Sequence, residues 1–505
     1  MRRPLVLGTL LALASLSLGT AAVHDPDSGF IEHLQKSVTR ADGARVIRRL
    51  ASDEFQGRMT GQPGQHMTAE MGALVFKEAG LLPTGDPGDY LQHFTTYTSK
   101  IDDATLSVDG KDFAFGTNFI SRGDGGFGNV TADAVYVGWG ISDPDQGYDE
   151  YKGIDATGKI VVALRGTNPG IKGDWQLTGW KVRAAKAHGA VGLVLLGAHA
   201  DGSWEGLIGS VYFSNGDIPW DPSFPAVQAD KDVAAALFGK RHLDLRQMVE
   251  FAQTQQTPVS LNLGATVHLA VSGTMNLNGP TENVCGLLEG SDPVLKNEVI
   301  VVGGHMDHVG MQGKDLIFCG QEDNASGTAT VMALARAFGT FKTHPRRSIL
   351  FMLFTGEEMG LVGSKYWVAH PTLPLNEVKA MFQYDMDGGG DSFVAHNAKN
   401  TPQIDALDES ANARLYHLKY DATDEAEASD HASFWHAGIP AVMILNGGDR
   451  QCPVHQLAHF KPDGSNLPLW EEVSETTGLV IWDLANADAI TDTGPKEDEQ
   501  PVAKE

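Results

Sequence analysis

The sequence is poor in cysteine, in basic residues and in long apolar runs. Its 505 residues include three cysteines, too few for a disulfide scaffold. Lys and Arg number 38 against 64 Asp and Glu, giving a formal net charge of -26 at pH 7. Because nucleic-acid binding requires clustered basic residues, this balance argues against nucleic acid as a partner. Beyond the N-terminal segment, no apolar run reaches the ~20 residues of a membrane-spanning helix, so we expect no stable membrane span.

The N-terminal segment has the three parts of a secretory signal. Arg2 and Arg3 precede an apolar run over residues 5–18, and small residues follow as far as Ala22. The run is shorter than the ~20 residues that a membrane anchor needs. We therefore predict that residues 1–22 are a signal peptide and that the mature protein is secreted or periplasmic.

The pattern of apolar and turn-forming residues changes twice along the rest of the chain. Its length exceeds what a single core usually accommodates, and its composition, 42% hydrophobic and 20% charged, is that of a globular protein. Residues 23–103 have the apolar spacing of helices, whereas residues 104–271 alternate short strand-like runs with turns rich in Gly, Asp and Pro. A turn-rich junction over residues 276–280 follows. The polar residues 491–505 predict a disordered tail.

The region after the junction alternates buried strands with helices. Apolar runs predict strands over residues 299–302, 348–354, 378–384 and 441–445, and a helix over residues 326–338. This alternation favours an α/β domain whose mainly parallel central sheet is flanked by helices.

Groups able to bind a metal or transfer a proton follow three of these strands. They are His305 and Asp307, then Glu357 and Glu358, then Asp385. Because ligands of open α/β sheets bind at the carboxyl ends of the strands, we expect these side chains to converge there with Asp323, which precedes the predicted helix. Imidazoles and carboxylates without a thiolate suit Zn²⁺, and a carboxylate between two ions can bridge them.

The adjacent pair Glu357-Glu358 adds chemical information. Neighbouring side chains at a strand end point in different directions, so one can bind a metal while the other reaches a water molecule beside it. This arrangement predicts a general base next to a metal ligand.

Five segments of this region carry a family resemblance. In chain order they are Gly303-Gly304-His305-Met306-Asp307, Glu322-Asp323-Asn324-Ala325-Ser326-Gly327, Phe354-Thr355-Gly356-Glu357-Glu358-Met359-Gly360, Gln383-Tyr384-Asp385-Met386 and Pro453-Val454-His455-Gln456. Together they resemble the motifs of the co-catalytic two-zinc exopeptidase family, which includes secreted bacterial aminopeptidases and glutamate carboxypeptidase II. The resemblance implies that residues 23–103 are the N-terminal part of a peptidase domain and residues 272–490 its catalytic part.

The resemblance also implies a site for two zinc ions. His305 and Asp385 would bind one ion. Glu358 and His455 would bind the other, and Asp323 would bridge both. Five ligands, one of them bridging, meet the needs of two ions that share a water molecule.

Further residues are expected to act without binding the metals. By resemblance, Glu357 is the general base and acid. Asp307 would orient His305 through the second ring nitrogen of that histidine. Asp430 and His431 belong to a segment that lies close to the active cleft in relatives, and we expect supporting or packing roles for them.

The sequence departs from the family pattern at two positions near the last ligand. Val454 stands where several relatives carry a tyrosine that helps to bind the oxyanion, and His459 stands where many carry an aspartate. Cys319 and Cys452 each lie close in sequence to a ligand, which suggests the hypothesis of a disulfide between them. We expect Cys285 to be a buried core thiol.

Residues 104–271 resemble the protease-associated domain often inserted into these peptidases, a β-rich α/β unit. The whole chain is then expected to be a metallo-aminopeptidase that hydrolyses the N-terminal bonds of peptide or protein substrates. A carboxypeptidase, a glutaminyl cyclase-like enzyme and a non-catalytic receptor-type protein remain alternatives. The complete ligand set and Glu357 favour an enzyme over the receptor.

Overall fold

The computed structural model describes residues 28–122, 125–173, 175–197, 209, 222–254, 259–448, 455 and 465–495. The predicted signal peptide, Cys452, Val454, His459 and residues 496–505 lie outside this part of the chain. Within it, no helix is both long enough and apolar enough to cross a membrane.

Eleven helices are present in the described residues. They are α1 Ser28–Ser37, α2 Arg40–Leu50, α3 Pro63–Glu78, α4 Thr178–Ala187, α5 Lys231–Gly239, α6 Leu245–Thr254, α7 Gly327–Thr340, α8 Val362–Ala369, α9 Pro402–Leu415, α10 His431–His436 and α11 Leu467–Asn486. Short 3-10 helices include Asp53–Arg58, between α2 and α3.

The described residues form nineteen strands. They are β1 Leu82–Pro83, β2 Leu91–Val108, β3 Lys111–Phe113, β4 Phe119–Ser121, β5 Gly128–Val137, β6 Ser142–Asp143, β7 Tyr148–Asp149, β8 Ile160–Leu164, β9 Gly192–Leu196, β10 Ala226–Ala229, β11 Ser260–Leu288, β12 Val299–His305, β13 Met311–Gln312, β14 Leu316–Ile317, β15 Ser348–Phe354, β16 Val378–Tyr384, β17 Ser392–His396, β18 Tyr420–Ala422 and β19 Ala441–Gly447.

The region predicted to be the peptidase domain, called the peptidase region below, has one central sheet in the order β11-β15-β12-β16-β19-β17-β18. The four middle strands, β15, β12, β16 and β19, run parallel, whereas β11 is antiparallel to β15 and β17 is antiparallel to β19. All four predicted strands are present, and β15 and β16 have the predicted bounds. The prediction of an α/β domain with a mainly parallel sheet is confirmed.

Helices cover both faces of this sheet, as the side-chain alternation of β12 demonstrates. Ile300 and Val302 belong to the core formed with α1, α2, α3, α7, α9 and α11, whereas Val299 and Val301 pack with Trp367 of α8 on the other face. A strand buried on both sides lacks polar alternation. This explains why the sequence of β12 is a continuous apolar run.

A second hydrophobic core lies between Ile101 and Val271 and coincides closely with the predicted insert. Its sheet has the order β11-β5-β8-β9-β10-β4, in which β5, β8, β9 and β10 are parallel. The helices α4, α5 and α6 pack on it. The region is therefore an α/β unit rich in strands.

The strands β2 and β11 run through both cores and pair with each other over most of their length. We call this two-stranded unit the ribbon. Its pairs extend from Leu91 opposite Val284, at the peptidase end, to Val108 opposite Val267, in the insert. No loop separates the two regions at this point. The insert is joined to the peptidase sheet through a continuous hydrogen-bonded ladder.

Two irregularities interrupt the ribbon. At the first, Asp102 of β2 has no partner, because Ser272 and Gly273 of β11 are neighbours in sequence. At the second, β11 has one more residue than β2 between Asn276 and Gly279. The prediction of a turn-rich junction over residues 276–280 is therefore wrong, because β2 supplies pairing partners on both sides and the chain stays extended. The local signal of Asn, Gly and Pro marks a β-bulge inside a strand.

The chain beyond α11 is fixed to the peptidase domain. Thr491 donates its backbone N–H to Gln403 Oε1 at 2.6 Å. The carboxylate of Asp492 accepts the backbone N–H groups of Gln403 at 2.8 Å and Ile404 at 3.0 Å, in the first turn of α9. The predicted disordered tail therefore starts too early, since residues 491 and 492 are held in place.

Replacement of Asp492 tests this tertiary cap. We expect Asp492→Ala to lower the free energy of unfolding by about 1–2 kcal/mol, because two helix N–H groups lose their acceptor. Asp424→Ala, at an exposed position, serves as the control and should leave stability unchanged. Chemical denaturation of both variants measures the difference, and equal stability would contradict the capping role.

Candidate metal centre

The register of the parallel strands brings the predicted side chains to one edge of the sheet. His305 at the end of β12 lies opposite Phe354 at the end of β15, and Gly304 lies opposite Tyr384 at the end of β16. Glu357 and Glu358 follow β15, and Asp385 follows β16, so all of them leave the sheet at the same level. The sequence-based expectation of convergence agrees with this arrangement.

A first group of potential ligands surrounds the ring of His305. Its Nε2 lies 3.2 Å from Asp385 Oδ1, 3.4 Å from Asp323 Oδ1 and 3.9 Å from Glu357 Oε2. The His305 ring is fully buried. The imidazole of His305 and three carboxylates, those of Asp385, Asp323 and Glu357, thus face a common point.

A second group adjoins the first and shares Asp323 with it. His455 Nε2 lies 2.8 Å from Asp323 Oδ2 and 3.0 Å from Glu358 Oε2. His308 also enters this group, with Nδ1 2.8 Å from Glu358 Oε1 and 3.7 Å from Asp323 Oδ2. The two oxygens of Asp323 therefore point to different groups, which is the geometry of a bridging carboxylate.

The donor atoms of both groups fit a divalent metal. Within these two groups, four buried atoms have no hydrogen-bond partner among the described residues: His305 Nε2, His308 Nδ1, Glu358 Oε1 and Asp385 Oδ1. Buried polar atoms are normally satisfied, so such a set calls for a cation. Nitrogen and carboxylate oxygen without sulfur are the ligands of Zn²⁺ and neighbouring metals.

The electrostatics of the cluster also call for positive charge. Burial alone would lower the pKa of His305, but the carboxylates of Asp385 and Glu357 outweigh it and hold the pKa well above its ordinary value. The pKa of His455 is raised in the same way by Glu358 and Asp323 against the effect of burial. Both rings bind a proton strongly because their acidic surroundings favour a cation.

Asp307 positions Glu357 as well as His305. The ring Nδ1 of His305 lies 3.2 Å from the backbone oxygen of Asp307 and 3.7 Å from its carboxylate. That carboxylate accepts the hydroxyl of Thr60 at 3.0 Å and the backbone N–H of Glu357 at 3.2 Å. The backbone of Asp307 thus meets His305, while its side chain fixes the loop that carries Glu357.

Asp430 lies close to the cluster, whereas His431 packs away from its ligands. Gln383 donates to the Asp430 carboxylate at 3.1 Å, and burial raises the pKa of Asp430 to about 7, although the charge of His305 opposes the shift. His431 is fully buried, and burial lowers its pKa to about 3, with His396 adding to the effect. A neutral packed histidine fits the packing role expected for His431.

The buried Arg58 ties the two ligand loops to the N-terminal region. Its guanidinium donates to the carbonyls of Met306 at 3.0 Å, Leu50 at 2.7 Å, Cys319 at 2.9 Å and Gly320 at 2.6 Å. Met306 follows His305, and the other loop leads to Asp323. Burial lowers the pKa of Arg58 to about 10, so the group stays charged at neutral pH.

Of the described residues, neither Cys285 nor Cys319 belongs to the ligand groups. The hypothesis of a disulfide between Cys319 and Cys452 stays a prediction, because Cys452 lies outside the described residues. Cys285 is fully buried among apolar residues, as expected, and burial raises its pKa.

Sequence reasoning missed two residues of this centre, His308 and Arg58. His308 stands three positions after His305, but β12 ends at His305, so strand alternation does not fix the direction of the later side chain. Arg58 lies far from every motif in the sequence. Its local sequence, Gln56-Gly57-Arg58-Met59-Thr60, carries no pattern that reveals burial.

Fold and site together define an α/β protein with two adjoining groups of potential metal ligands at the carboxyl edge of its sheet. Residues 283–475 match the model of peptidase family M28. The predicted resemblance to the co-catalytic zinc exopeptidases is thereby confirmed for residues 283–475.

Relatives of known name support this assignment. The chain is 27% identical over 333 residues to probable leucine aminopeptidase 2 of Aspergillus oryzae, covering 63% of this chain and 57% of that protein. It is 27% identical over 319 residues to Transferrin receptor protein 2 of Homo sapiens, covering 56% of this chain and 37% of that protein. The chain thus spans only part of the length of these curated relatives.

A solved structure shares the fold over nearly the whole chain. It is the structure of a zinc aminopeptidase from Bacillus subtilis. It superposes on this chain with a TM-score of 0.64, covering 90% of this chain and 98% of the other. The sequence identity is 17%. At that identity the likeness establishes the fold.

Arg58→Lys tests whether the arginine organises the metal centre. The variant keeps the charge but loses the fork of donors, so the two ligand loops should loosen and the affinity for zinc should fall by about 10–100-fold. Arg48→Lys, at an exposed position on α2, is the matched control. Competition with a metal chelator measures the affinity, and equal values for both variants would show that the clamp does not affect the metals.

Proposed function

We propose that the chain is a zinc-dependent exopeptidase with two ions, and that it acts as an aminopeptidase. The observation that carries this proposal is the position of Asp323 between the two ligand groups, with one oxygen 3.4 Å from His305 Nε2 and the other 2.8 Å from His455 Nε2. His305 and Asp385 would hold one ion, and Glu358 and His455 the other.

Glu357 is the proposed general base and acid. When bound, the two ions would supply Lewis acidity toward the scissile carbonyl and lower the pKa of a water molecule. Glu357 accepts the proton of that water as it attacks, and then delivers a proton to the leaving amine. The bond from its backbone N–H to Asp307 holds Glu357 beside the first group, 3.9 Å from the ring of His305.

The similarity to probable leucine aminopeptidase 2 supports action at the amino terminus of a peptide. A carboxypeptidase needs a free cation to hold the terminal carboxylate of its substrate. The guanidinium of Arg58 is engaged by four backbone carbonyls. Arg58 is therefore not available to hold a substrate carboxylate, and the two ions would compensate the acidic groups of the centre.

Export and a protease-associated insert complete the proposal. Residues 1–22 would direct secretion and be removed. Residues 104–271 would influence access of substrates to the centre. In support, the backbone N–H of Gly209, which lies in the insert, donates to the backbone oxygen of the ligand His455 at 2.7 Å.

Peptides with blocked and free termini test the proposed activity. We expect hydrolysis of peptides with a free amino terminus whether or not the carboxyl terminus is amidated, and zinc analysis of the same sample should give two ions per chain. Hydrolysis only of peptides with a free carboxyl terminus would indicate a carboxypeptidase. Loss of ammonia from N-terminal glutamine would indicate a cyclase, and a zinc-loaded but inert protein would indicate a receptor.

Two neighbouring substitutions separate the roles of the adjacent glutamates. We expect Glu357→Gln to retain both zinc ions and to lose turnover by about 10²–10⁴-fold, because proton transfer is abolished. Glu358→Gln should instead lose zinc, because a ligand is weakened. Metal analysis and hydrolysis of an aminoacyl chromogenic substrate measure both effects. A Glu357→Gln enzyme with nearly wild-type turnover would refute the assigned base.

A further inference from the structure

His308 is the residue of the second ligand group that the family resemblance does not account for. It is buried, with 2% of its surface exposed, and it forms a four-membered group with Asp323, Glu358 and His455 in which all potential ligand atoms lie within 4.8 Å of one another. Its ring meets that of His455 edge to face, with centroids 5.1 Å apart. His308 thus belongs to the wall of the metal centre.

The position of the His308 ring is fixed from two sides. Its backbone N–H donates to the carbonyl of Arg58 at 3.2 Å. The ring lies against Gly320, where a Cβ atom would come within 2.5 Å of His308 Cγ and 2.6 Å of Cδ2. Gly320 also has a φ of +57°, which glycine adopts readily. The close approach needs a glycine at this position and leaves the ring little freedom to turn.

One buried atom of His308 and one of Glu358 face each other without forming a hydrogen bond. Nδ1 of His308 and Oε1 of Glu358 are 2.8 Å apart, and neither atom has a hydrogen-bond partner of good geometry among the described residues. Two buried, unsatisfied atoms that face the same point as His455 and Asp323 are what a shared cation would satisfy.

The geometry points to His308 as a fourth protein ligand of the ion that Asp323, Glu358 and His455 hold. This inference rests on the proposed two-metal function. It gives the second ion two imidazoles, whereas the first has His305 alone. Since imidazole favours zinc more strongly than carboxylate does, the two positions differ in affinity. The ion beside His308 is then the last to leave when metal is withdrawn.

Two His308 variants distinguish a ligand from a residue that orients Glu358 by a hydrogen bond. In protein loaded with cadmium, each ion should give its own ¹¹³Cd resonance. We expect His308→Ala to move one resonance and to weaken the tighter of the two binding constants by at least ~10-fold, as measured by chelator competition. His308→Gln retains a hydrogen-bond donor but replaces the ligand nitrogen, so it should not restore either property. Restoration by Gln would overturn the ligand role.

A measurement on the wild-type protein makes the test independent of how the variants fold. In a crystal structure of the zinc-loaded protein, we expect His308 Nδ1 at about 2.1 Å from one ion. A separation beyond ~3 Å would overturn the inference. His370→Ala, at an exposed position just after α8, is the control for the solution measurements and should change neither resonance.

The outcomes also separate this inference from the proposed function. If the wild-type protein binds no zinc or hydrolyses no peptide, the proposed function fails. If it binds two ions and hydrolyses peptides while His308→Ala keeps both resonances and both constants, the assignment of His308 alone fails.

Discussion

Negative charge collected inside the protein is the constraint on which the centre depends. Asp323, Glu358 and Asp385 are each less than a tenth exposed, and burying anions together is unfavourable unless cations compensate them. Two kinds of basic side chain surround these carboxylates. Imidazoles stand between the carboxylates, and the guanidinium of Arg58 lies behind the loops that carry them. The N-terminal segment is therefore part of the candidate metal centre, since its Arg58 supplies the fixed cation.

Much of the fold follows from short-range sequence pattern. The strands β15 and β16 have the bounds predicted for them because a strand buried on both faces requires an uninterrupted apolar run. The error at residues 276–280 has a different origin. Asn, Gly and Pro favour a turn in isolation, but the partner strand β2 holds the chain extended, and pairing across more than 170 positions of sequence is invisible to local pattern.

The candidate site divides in the same way. His305, Glu358 and Asp385 were predictable because each stands at the end of a predicted strand, where topology alone sets the location. His308 and Arg58 were not, because their roles depend on loop conformation and on a guanidinium that reaches carbonyls brought together only by folding. The orienting contact to His305 also differs in detail, since a backbone oxygen of Asp307 lies nearer than its carboxylate.

The two irregularities of the ribbon cancel each other. One extra residue on β2, at Asp102, is matched by one extra residue on β11 between Asn276 and Gly279, so the strands are out of step only between these points. At both ends the original pairing phase is restored. A shift of one residue exchanges the two faces of a strand. Loss of either bulge alone would therefore keep the pairing of the ribbon in one core and would exchange its inward and outward side chains in the other. The two bulges therefore depend on each other: a deletion that removes one extra residue preserves both cores only if the other extra residue is deleted as well.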